Sequence, residues 1–244
     1  MIDILKNGCA ELGIELSDEQ FAKLERYAEL LIEWNEKVNL TAITEPEEIA
    51  VKHFLDSLTP LATGRVGKKV IDVGTGAGFP GLVLKIARPD IELTLLDSLN
   101  KRLDFLKAAA DELSLGGITF VHARAEDAGR DAALRAQFDT AVSRAVANMT
   151  VLSELCIPFL KIGGSFLALK GPLANDELTP AKRAISILGG SAEEIFEIPF
   201  SGLEHKIIIV KKIKKTPLKY PRKPGIPTKN PLLQCYNPPK GVGK

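Results

Sequence analysis

Residues 70 to 81 read Val-Ile-Asp-Val-Gly-Thr-Gly-Ala-Gly-Phe-Pro-Gly. A short apolar strand therefore runs directly into a series of glycines, and the apolar residues from Gly81 to Arg88 predict a helix after them. Glycine suits this position because the turn is tight and a ligand must approach the backbone closely. The helix N-terminus adds free N–H groups that face the same ligand. The stretch predicts a ligand-binding loop between a buried strand and a helix.

Strands and helices alternate on the C-terminal side of this loop. We predict further strands at 93–96, 118–121, 139–142 and 165–169, separated by helices at 100–113, 151–160 and 177–188. This alternation indicates an α/β fold with a mostly parallel, doubly wound sheet that helices cover on both faces. The last two of the seven strands, at 194–198 and 206–210, have no helix between them, so we expect an antiparallel hairpin at the sheet edge. Such an ending is typical of the methyltransferase variant of the Rossmann-like fold.

Two features of the loop favour S-adenosylmethionine (SAM) over NAD as its ligand. The glycines from Gly76 to Gly81 also fit the GxGxxG pattern of dinucleotide-binding proteins, which is weak evidence by itself. However, Asp72 at the strand end would repel a pyrophosphate, whereas it can anchor the loop or the ammonium group of methionine. Gly74, Gly76 and Gly78 together form the GxGxG that is usual in methyltransferases. We therefore predict a class I SAM-dependent methyltransferase, with an NAD-dependent oxidoreductase as the competing enzyme class.

Side chains at the ends of the next strands extend the predicted cofactor site. Asp97 follows the second strand, where a carboxylate can accept both ribose hydroxyls, or can cap the next helix. Ala125 and Glu126 follow the third strand, where this fold places its adenine contacts, although an ordinary polar loop explains them as well. Arg144 ends the fourth strand and can hold a carboxylate, a phosphate or guanine O6, or take part in a structural ion pair.

The chain divides into three predicted parts. Residues 1–65 form an N-terminal helical extension, with helices over Ser17–Lys37, capped by Ser17 and Gln20, and over Ile49–Leu58, stopped by Pro60. Residues 66–215 form the SAM-binding domain. Residues 216–244 are rich in Pro, Lys and Gly, and we expect a basic tail that is irregular and, in isolation, mobile.

Charge is distributed unevenly along the chain. The net charge is +1, but residues 205–244 contain 11 Lys or Arg and no acidic residue, which leaves a balance of −10 on residues 1–204. A basic end on an acidic body indicates an anionic partner, and a tail that only aids solubility is an equal alternative. The three cysteines and three histidines are scattered, so we expect no metal site. Without a signal-like or membrane-length apolar run, we expect a cytoplasmic protein with no membrane partner.

Several stretches, taken together, resemble the RsmG (GidB) family, which methylates N7 of one guanine in the 530 loop of 16S rRNA. The stretches that carry the resemblance are Trp34-Asn35 to Asn39-Leu-Thr41, His53-x-x-Asp-Ser57, Ile71 to Gly81, Leu95-Leu-Asp-Ser98 with Lys101-Arg102, Ala125-Glu126, Ser143-Arg-Ala145 and Leu169-Lys-Gly171. They run in order through most of residues 20 to 215. From about Leu232 onward the chain matches nothing in the family pattern.

The resemblance implies a set of site residues and a partner. It implies SAM contacts at Gly74, Phe79, Asp97, Ser98, Ala125, Glu126 and Arg144. It also implies roles near the pocket for His53 and Asp56, which share a helix face, although packing of that helix explains them too. The expected partner is 16S rRNA in the small ribosomal subunit, bound by a monomer. The expected RNA contacts are Lys101, Arg102, Lys170, Lys219, Arg222 and Lys223.

The implied chemistry agrees with what the fourth strand end lacks. Neither an Asn/Asp-Pro-Pro-Tyr/Phe motif nor a cysteine lies at the end of this strand, so neither amine methylation nor C5 methylation is indicated. Guanine N7 carries a lone pair and no proton, so its attack needs positioning more than a general base. A non-catalytic RNA-binding module, and a methyltransferase for a protein or small molecule, stay open as alternatives.

Overall fold

The computed structural model of the chain describes residues 1–200 and 202–232. Its strands are β1 (Lys69–Val73), β2 (Glu92–Asp97), β3 (Ile118–His122), β4 (Phe138–Arg144), β5 (Leu160–Lys170), β6 (Gly190–Glu197) and β7 (Lys206–Lys212). They form one sheet in the order β3-β2-β1-β4-β5-β7-β6. Strands β1 to β5 pair in parallel, and β7 pairs antiparallel with both β5 and β6. The predicted seven-stranded sheet and its terminal hairpin are confirmed.

Helices cover both faces of this sheet. They are α1 (Ile2–Glu11), α2 (Asp18–Val38), α3 (Pro46–Glu48), α4 (Asp56–Ala62), α5 (Gly81–Ala87), α6 (Asn100–Glu112), α7 (Ala125–Ala128), α8 (Met149–Cys156), α9 (Ala174–Ile187) and α10 (Ile226–Lys229). Successive strand residues point to opposite faces, so Val70 packs with α2, α5 and α6, whereas Ile71 packs with α8 and α9. The parallel strands are apolar on both faces for this reason. None of the helices in residues 1–200 and 202–232 combines the length and the apolar character needed to cross a bilayer.

The N-terminal helices pack on the same face of the sheet as α5 and α6. The predicted capping box is confirmed at α2, where the Ser17 hydroxyl and the Gln20 side chain each accept the other residue's backbone N–H. The Gln20 amide also donates to the carbonyls of Ile86 and Ala87, which ties α2 to the end of α5. Helix α1 was not predicted, because its short apolar pattern is divided by charged residues; it buries Leu5.

Pro60 does not end its helix as the sequence predicts. A π-helical segment, Ile49–Leu55, runs without a break into α4, which continues through Pro60 to Ala62. Proline has no N–H for the carbonyl one turn earlier, which is that of Asp56. The Thr59 hydroxyl donates to this carbonyl at 2.7 Å, so the carbonyl keeps a partner and the helix continues. The π-helical segment carries His53 and leads directly into Asp56.

Residues 216–232, which we call the strap, are fixed against the body of the protein. The strap is irregular except for α10, as predicted. The expectation that it is mobile is corrected, because a buried ion pair anchors it. The guanidinium of Arg222 forms a forked pair with both carboxylate oxygens of Glu154, whose side chain is 1% exposed. Composition did not reveal this anchor because Glu154 precedes Arg222 by 68 residues. Residues 233–244, including Cys235, lie outside the described part of the chain.

Candidate cofactor and active site

A cavity of about 510 Å³ lies at the carboxyl ends of β1, β2, β3 and β4. Open α/β sheets bind their ligands at this edge, close to the point where the strand order reverses. Here the reversal falls between β1 and β4. Most of the predicted cofactor residues line the cavity, namely Gly74, Gly76, Phe79, Asp97, Ser98, Ala125, Glu126 and Arg144, and His53 lines it as well.

The glycines of the loop serve different needs. Gly76 has a φ of 59°, and no atom lies within 4 Å of the position that a Cβ would take, so its backbone is open to the cavity. Gly78 does not line the cavity; its φ is 92°, and a Cβ there would lie 2.3 Å from the Tyr27 hydroxyl oxygen. Gly76 therefore allows a ligand to approach, whereas Gly78 allows the loop to pack on the N-terminal helices.

Asp72 supports the loop from below and does not line the cavity. Its Oδ2 accepts hydrogen bonds from the Thr75 hydroxyl at 2.7 Å and the Gly81 N–H at 2.9 Å. Burial raises the pKa of Asp72 to about 6, and both hydrogen bonds oppose this rise. Of the two roles considered from the sequence, the structure favours anchoring of the loop.

Asp97 is a buried carboxylate at the cavity wall. Its Oδ2 accepts the Gly76 N–H at 2.9 Å, and its Oδ1 accepts the N–H of Leu99, which immediately precedes α6, at 2.9 Å. Arg102 lies 3.4 Å from the same Oδ2 and also lines the cavity. The carboxylate therefore joins the glycine loop to the residue before α6. It does not cap this helix, because the N-cap residue is Leu99 and no side chain caps the helix start.

Arg144 is held rigidly at the far end of the cavity. Its Nη1 donates to Asp56 Oδ2 at 2.6 Å and to the Lys52 carbonyl at 2.9 Å. Its guanidinium carbon lies 5.1 Å from the centre of the Phe79 ring, a cation–π arrangement. Asp56 is fully buried, so the ion pair with Arg144 is shielded from water. The structure thus brings together Arg144, Asp56 and Phe79, three residues that the sequence analysis named separately.

His53 completes this cluster as a neutral ring. It stacks on Phe79 at 4.5 Å between ring centres, and its Nε2 shares a 2.8 Å hydrogen bond with the Thr41 hydroxyl. Burial, and next the charge of Arg144, lower the pKa of His53 to about 4. Its Nδ1 lies 3.3 Å from Arg144 Nη2, where a neutral imidazole can accept a hydrogen bond.

His205 belongs to the same network, and sequence analysis missed it. Its Nδ1 lies 2.8 Å from Asp56 Oδ1, and the hydrogen bond to Asp56 raises the pKa of His205. The two residues are 149 positions apart, so no local pattern could join them. Asp56 therefore uses one oxygen for Arg144 and the other for His205.

Five of the six residues predicted to bind RNA divide into two groups; the sixth, Arg102, pairs with Asp97 at the cavity wall. Lys170 is 8% exposed and pairs with Glu177 at 2.7 Å, and Arg222 pairs with Glu154. Both charges are neutralised inside the protein, which corrects the expectation that these two contact RNA. Lys101, Lys219 and Lys223 are exposed, and their RNA contacts stay predictions. Within residues 1–200 and 202–232, no group of three or more His, Cys, Asp or Glu side chains is arranged to hold a metal ion.

Comparison with known proteins identifies the family. The family model described as "rRNA small subunit methyltransferase G" (GidB) matches residues 20–201. The chain belongs to this family. The ribosomal RNA small subunit methyltransferase G of Alkaliphilus metalliredigens is 52% identical over 233 residues, covering 94% of this chain and 98% of that protein. The Clostridium perfringens (strain SM101) enzyme of the same name is 51% identical over 234 residues, with the same coverage of both chains.

A solved structure supports the fold of this methyltransferase G family member. A mutant of MtNAS in complex with S-adenosylmethionine superposes with a TM-score of 0.53 at 11% identity, covering 79% of this chain and 75% of the other. Membership of the family makes the chain a methyltransferase and excludes the oxidoreductase considered from the sequence. The family match ends at residue 201, before the strap begins.

The pKa values of the two histidines in the cluster are shifted in opposite directions, so we expect their contributions to stability to depend on pH in opposite ways. The pKa of His53 falls from 6.5 to about 4, so its contribution to stability is complete above pH 6.5 and is lost as the pH falls toward 4. The pKa of His205 is raised, so its contribution is complete below pH 6.5 and is lost as the pH rises through the raised value. We expect ¹⁵N NMR to show a neutral His53 ring between pH 7 and about 5. A midpoint near 6.5 for His53 would contradict the description of the cluster.

Proposed function

We propose that this methyltransferase transfers a methyl group from SAM to N7 of one guanine in the 530 loop of 16S rRNA. One observation carries the proposal: a single cavity runs along four strand ends, from Glu126 through Asp97 and Gly76 to the clamped Arg144. The family supplies the substrate class, small-subunit rRNA. The resemblance of the site motifs supplies the base and the atom.

The cavity residues fit SAM from end to end. The open backbone at Gly76 suits close approach by the methionine part, and Asp97 is placed to accept ribose hydroxyls. Ala125 and Glu126 stand at the adjacent strand end, where a backbone N–H and a carboxylate can bind the adenine edge. Phe79 presents an apolar ring to the cavity beside Arg144. The donor set is therefore complementary to a nucleoside joined to a charged amino acid.

The reaction needs residues that position the substrate, because no proton has to be removed. When bound, SAM supplies a sulfonium methyl that the N7 lone pair attacks, so the positive charge passes from sulfur to guanine and no proton leaves. Asp56 has one oxygen bound to Arg144 and the other to His205, and the neutral His53 is bonded through Nε2 to Thr41. Arg144, fixed by Asp56 and Phe79, forms a rigid wall at this end of the cavity. Positioning of the base against this wall is the chain's main contribution to rate.

The substrate has to present an open base. N7 lies in the deep major groove of A-form RNA, which side chains do not reach, so a loop such as the 530 loop is the appropriate target. We place the reaction in the cytoplasm, on naked 16S rRNA or on the small subunit. The alternative, methyl transfer to another RNA, a protein or a small molecule, uses the same cofactor cavity.

Transfer of a labelled methyl group tests the proposal. Small subunits purified from a strain that lacks this gene are incubated with the protein and tritiated SAM. We expect label in 16S rRNA and none in subunits that already carry the modification. SAM binding without transfer to these subunits or to naked 16S rRNA would support the alternative substrates and contradict the rRNA proposal.

The exposed lysines of the strap are expected to contribute phosphate contacts. Replacing both Lys219 and Lys223 with alanine should reduce the slope of log Kd against log salt by about 1 to 2, since each lost phosphate contact removes about 0.7 to 0.9. Filter binding of 16S rRNA between about 50 and 200 mM KCl measures this slope. The control replaces Lys68 and Lys69, which are exposed at the amino end of β1, whereas the cofactor cavity lies at the carboxyl ends of the strands. Equal slopes for both double variants would remove the strap from the RNA interface.

A further inference from the structure

The strap approaches the cofactor cavity at the end formed by the third strand. Thr228, in α10, lines the cavity together with Ala125 and Glu126. The N–H of Gly225 donates to Glu126 Oε1 at 2.9 Å. Two positions in the strap therefore meet the part of the cavity wall that stands beside the adenine end of the proposed SAM site.

Several buried contacts hold the strap in this place. The backbone N–H and the guanidinium of Arg222 both donate to the carboxylate of Glu154, which is 1% exposed. Arg135 donates to the carbonyls of Tyr220 and Thr216, at 2.7 and 3.0 Å. Arg130 donates to the carbonyl of Pro221 at 2.8 Å. Charge-assisted and bidentate bonds of this kind are among the strong ones in proteins, so the strap is built as part of the fold.

The same contacts fix the short helix that carries Glu126. Helix α7 ends next to Gly129, whose carbonyl accepts a hydrogen bond from Arg135 at 2.8 Å. A Cβ on Gly129 would lie 2.9 Å from the ring of Pro221, so the strap passes directly against the end of this helix. At the other end of α7, Glu126 is bound to Gly225. Docking of the strap therefore sets the position of both Ala125 and Glu126.

We propose that the strap completes the adenosine end of the SAM site, with Arg222 and Glu154 as its anchor and with Glu126 and Thr228 as the groups that face the cofactor. The proposal rests on SAM being the cofactor, as proposed above. Gly225 occupies one oxygen of the Glu126 carboxylate and orients the group, which leaves the second oxygen for the exocyclic amine of adenine. Since strap docking and cofactor binding share Glu126, each stabilises the other by the same factor.

Calorimetric binding of SAM to purified full-length variants tests this assignment. Thr228→Tyr places a large ring at the cavity wall and is expected to weaken SAM binding about tenfold or more, without a change in melting temperature. S-adenosylhomocysteine should lose affinity by the same factor, because it shares the adenosine. Lys229→Tyr is the matched control: the residue is exposed, adjacent and outside the cavity lining, and its variant should bind SAM like the wild type.

Proteolysis of the wild type gives a second readout that does not depend on any substitution. SAM is expected to slow tryptic cleavage after Lys219, Arg222 and Lys229, because it stabilises the docked strap. Wild-type SAM affinity in Thr228→Tyr, together with a cleavage rate that SAM leaves unchanged, would overturn the role of the strap alone. A wild type that binds neither SAM nor S-adenosylhomocysteine would instead overturn the proposed function, and the strap's role with it.

Discussion

Replacing Arg144 with alanine is expected to lower the rate of methyl transfer about 100-fold, because the base loses the rigid wall that positions it, and a misplacement of about 1 Å costs a factor of this size. Arg144 is the side chain at the fourth strand end that Asp56, Lys52 and Phe79 fix at the cavity wall. Lysine at position 144 should restore little of this loss, because an ammonium group cannot reproduce the planar fork and its cation–π contact. Single-turnover transfer to small subunits, with SAM and RNA both saturating, measures the effect on the chemical step.

The control for Arg144 is Arg88→Ala. Arg88 forms an exposed ion pair with Asp90 just before the amino end of β2, away from the cavity at the carboxyl ends of the strands. Exposed pairs of this kind contribute about 0–1 kcal/mol to stability. We expect Arg88→Ala to retain wild-type turnover. Full turnover in Arg144→Ala, with a normal melting temperature, would remove Arg144 from the mechanism.

Gly78→Ala is expected to destabilise the protein by about 2–5 kcal/mol, combining the strain of a left-handed backbone, about 1–2 kcal/mol, with overpacking, about 1–3 kcal/mol. The new Cβ would lie 2.3 Å from the Tyr27 hydroxyl oxygen and 2.7 Å from Leu106 Cδ2. Tyr27 cannot move aside easily, because it is fully buried and stacks on both Phe54 and Phe105. Urea unfolding followed by circular dichroism gives the free energy of unfolding.

Gly163→Ala separates the two contributions. Gly163 has a φ of 88°, close to the 92° of Gly78, but no atom lies within 4 Å of its Cβ position. This variant should lose only the strain, about 1–2 kcal/mol. Equal losses in the two variants would mean that the loop is not packed against Tyr27 as described.

The sequence predicts the parts of the structure that depend on local pattern. The glycine loop, the capping box of Ser17 and the terminal hairpin were all predicted, because strand and helix periodicity and turn chemistry are written in adjacent residues. The place of Asp97 in the cavity wall was predicted for the same reason, since ligands of a parallel sheet bind at the carboxyl ends of its strands.

Long-range polar pairs account for what the sequence did not predict. Glu154 reads as an ordinary acidic residue of an amphipathic helix, and only the fold shows that it is buried under Arg222. His205 reads as an isolated histidine at the start of a basic tail, yet it shares Asp56 with Arg144. Burial and partner choice at these positions are set by segments 68 to 149 residues apart. Pro60 is a different case, because the contact is local: the Thr59 hydroxyl supplies the donor that the carbonyl of Asp56 would otherwise lack, and the helix continues.

Mapping the modified atom distinguishes N7 of a guanine in the 530 loop from other methyl acceptors. Small subunits from a strain without this gene are treated with the protein and SAM, and the extracted 16S rRNA is cleaved by borohydride and aniline, which cut at N7-methylguanine. We expect one new cut, in the 530 loop, that is absent without SAM and strongly reduced with Arg144→Ala. Methyl transfer without a cut, or a cut outside the 530 loop, would contradict the proposed function.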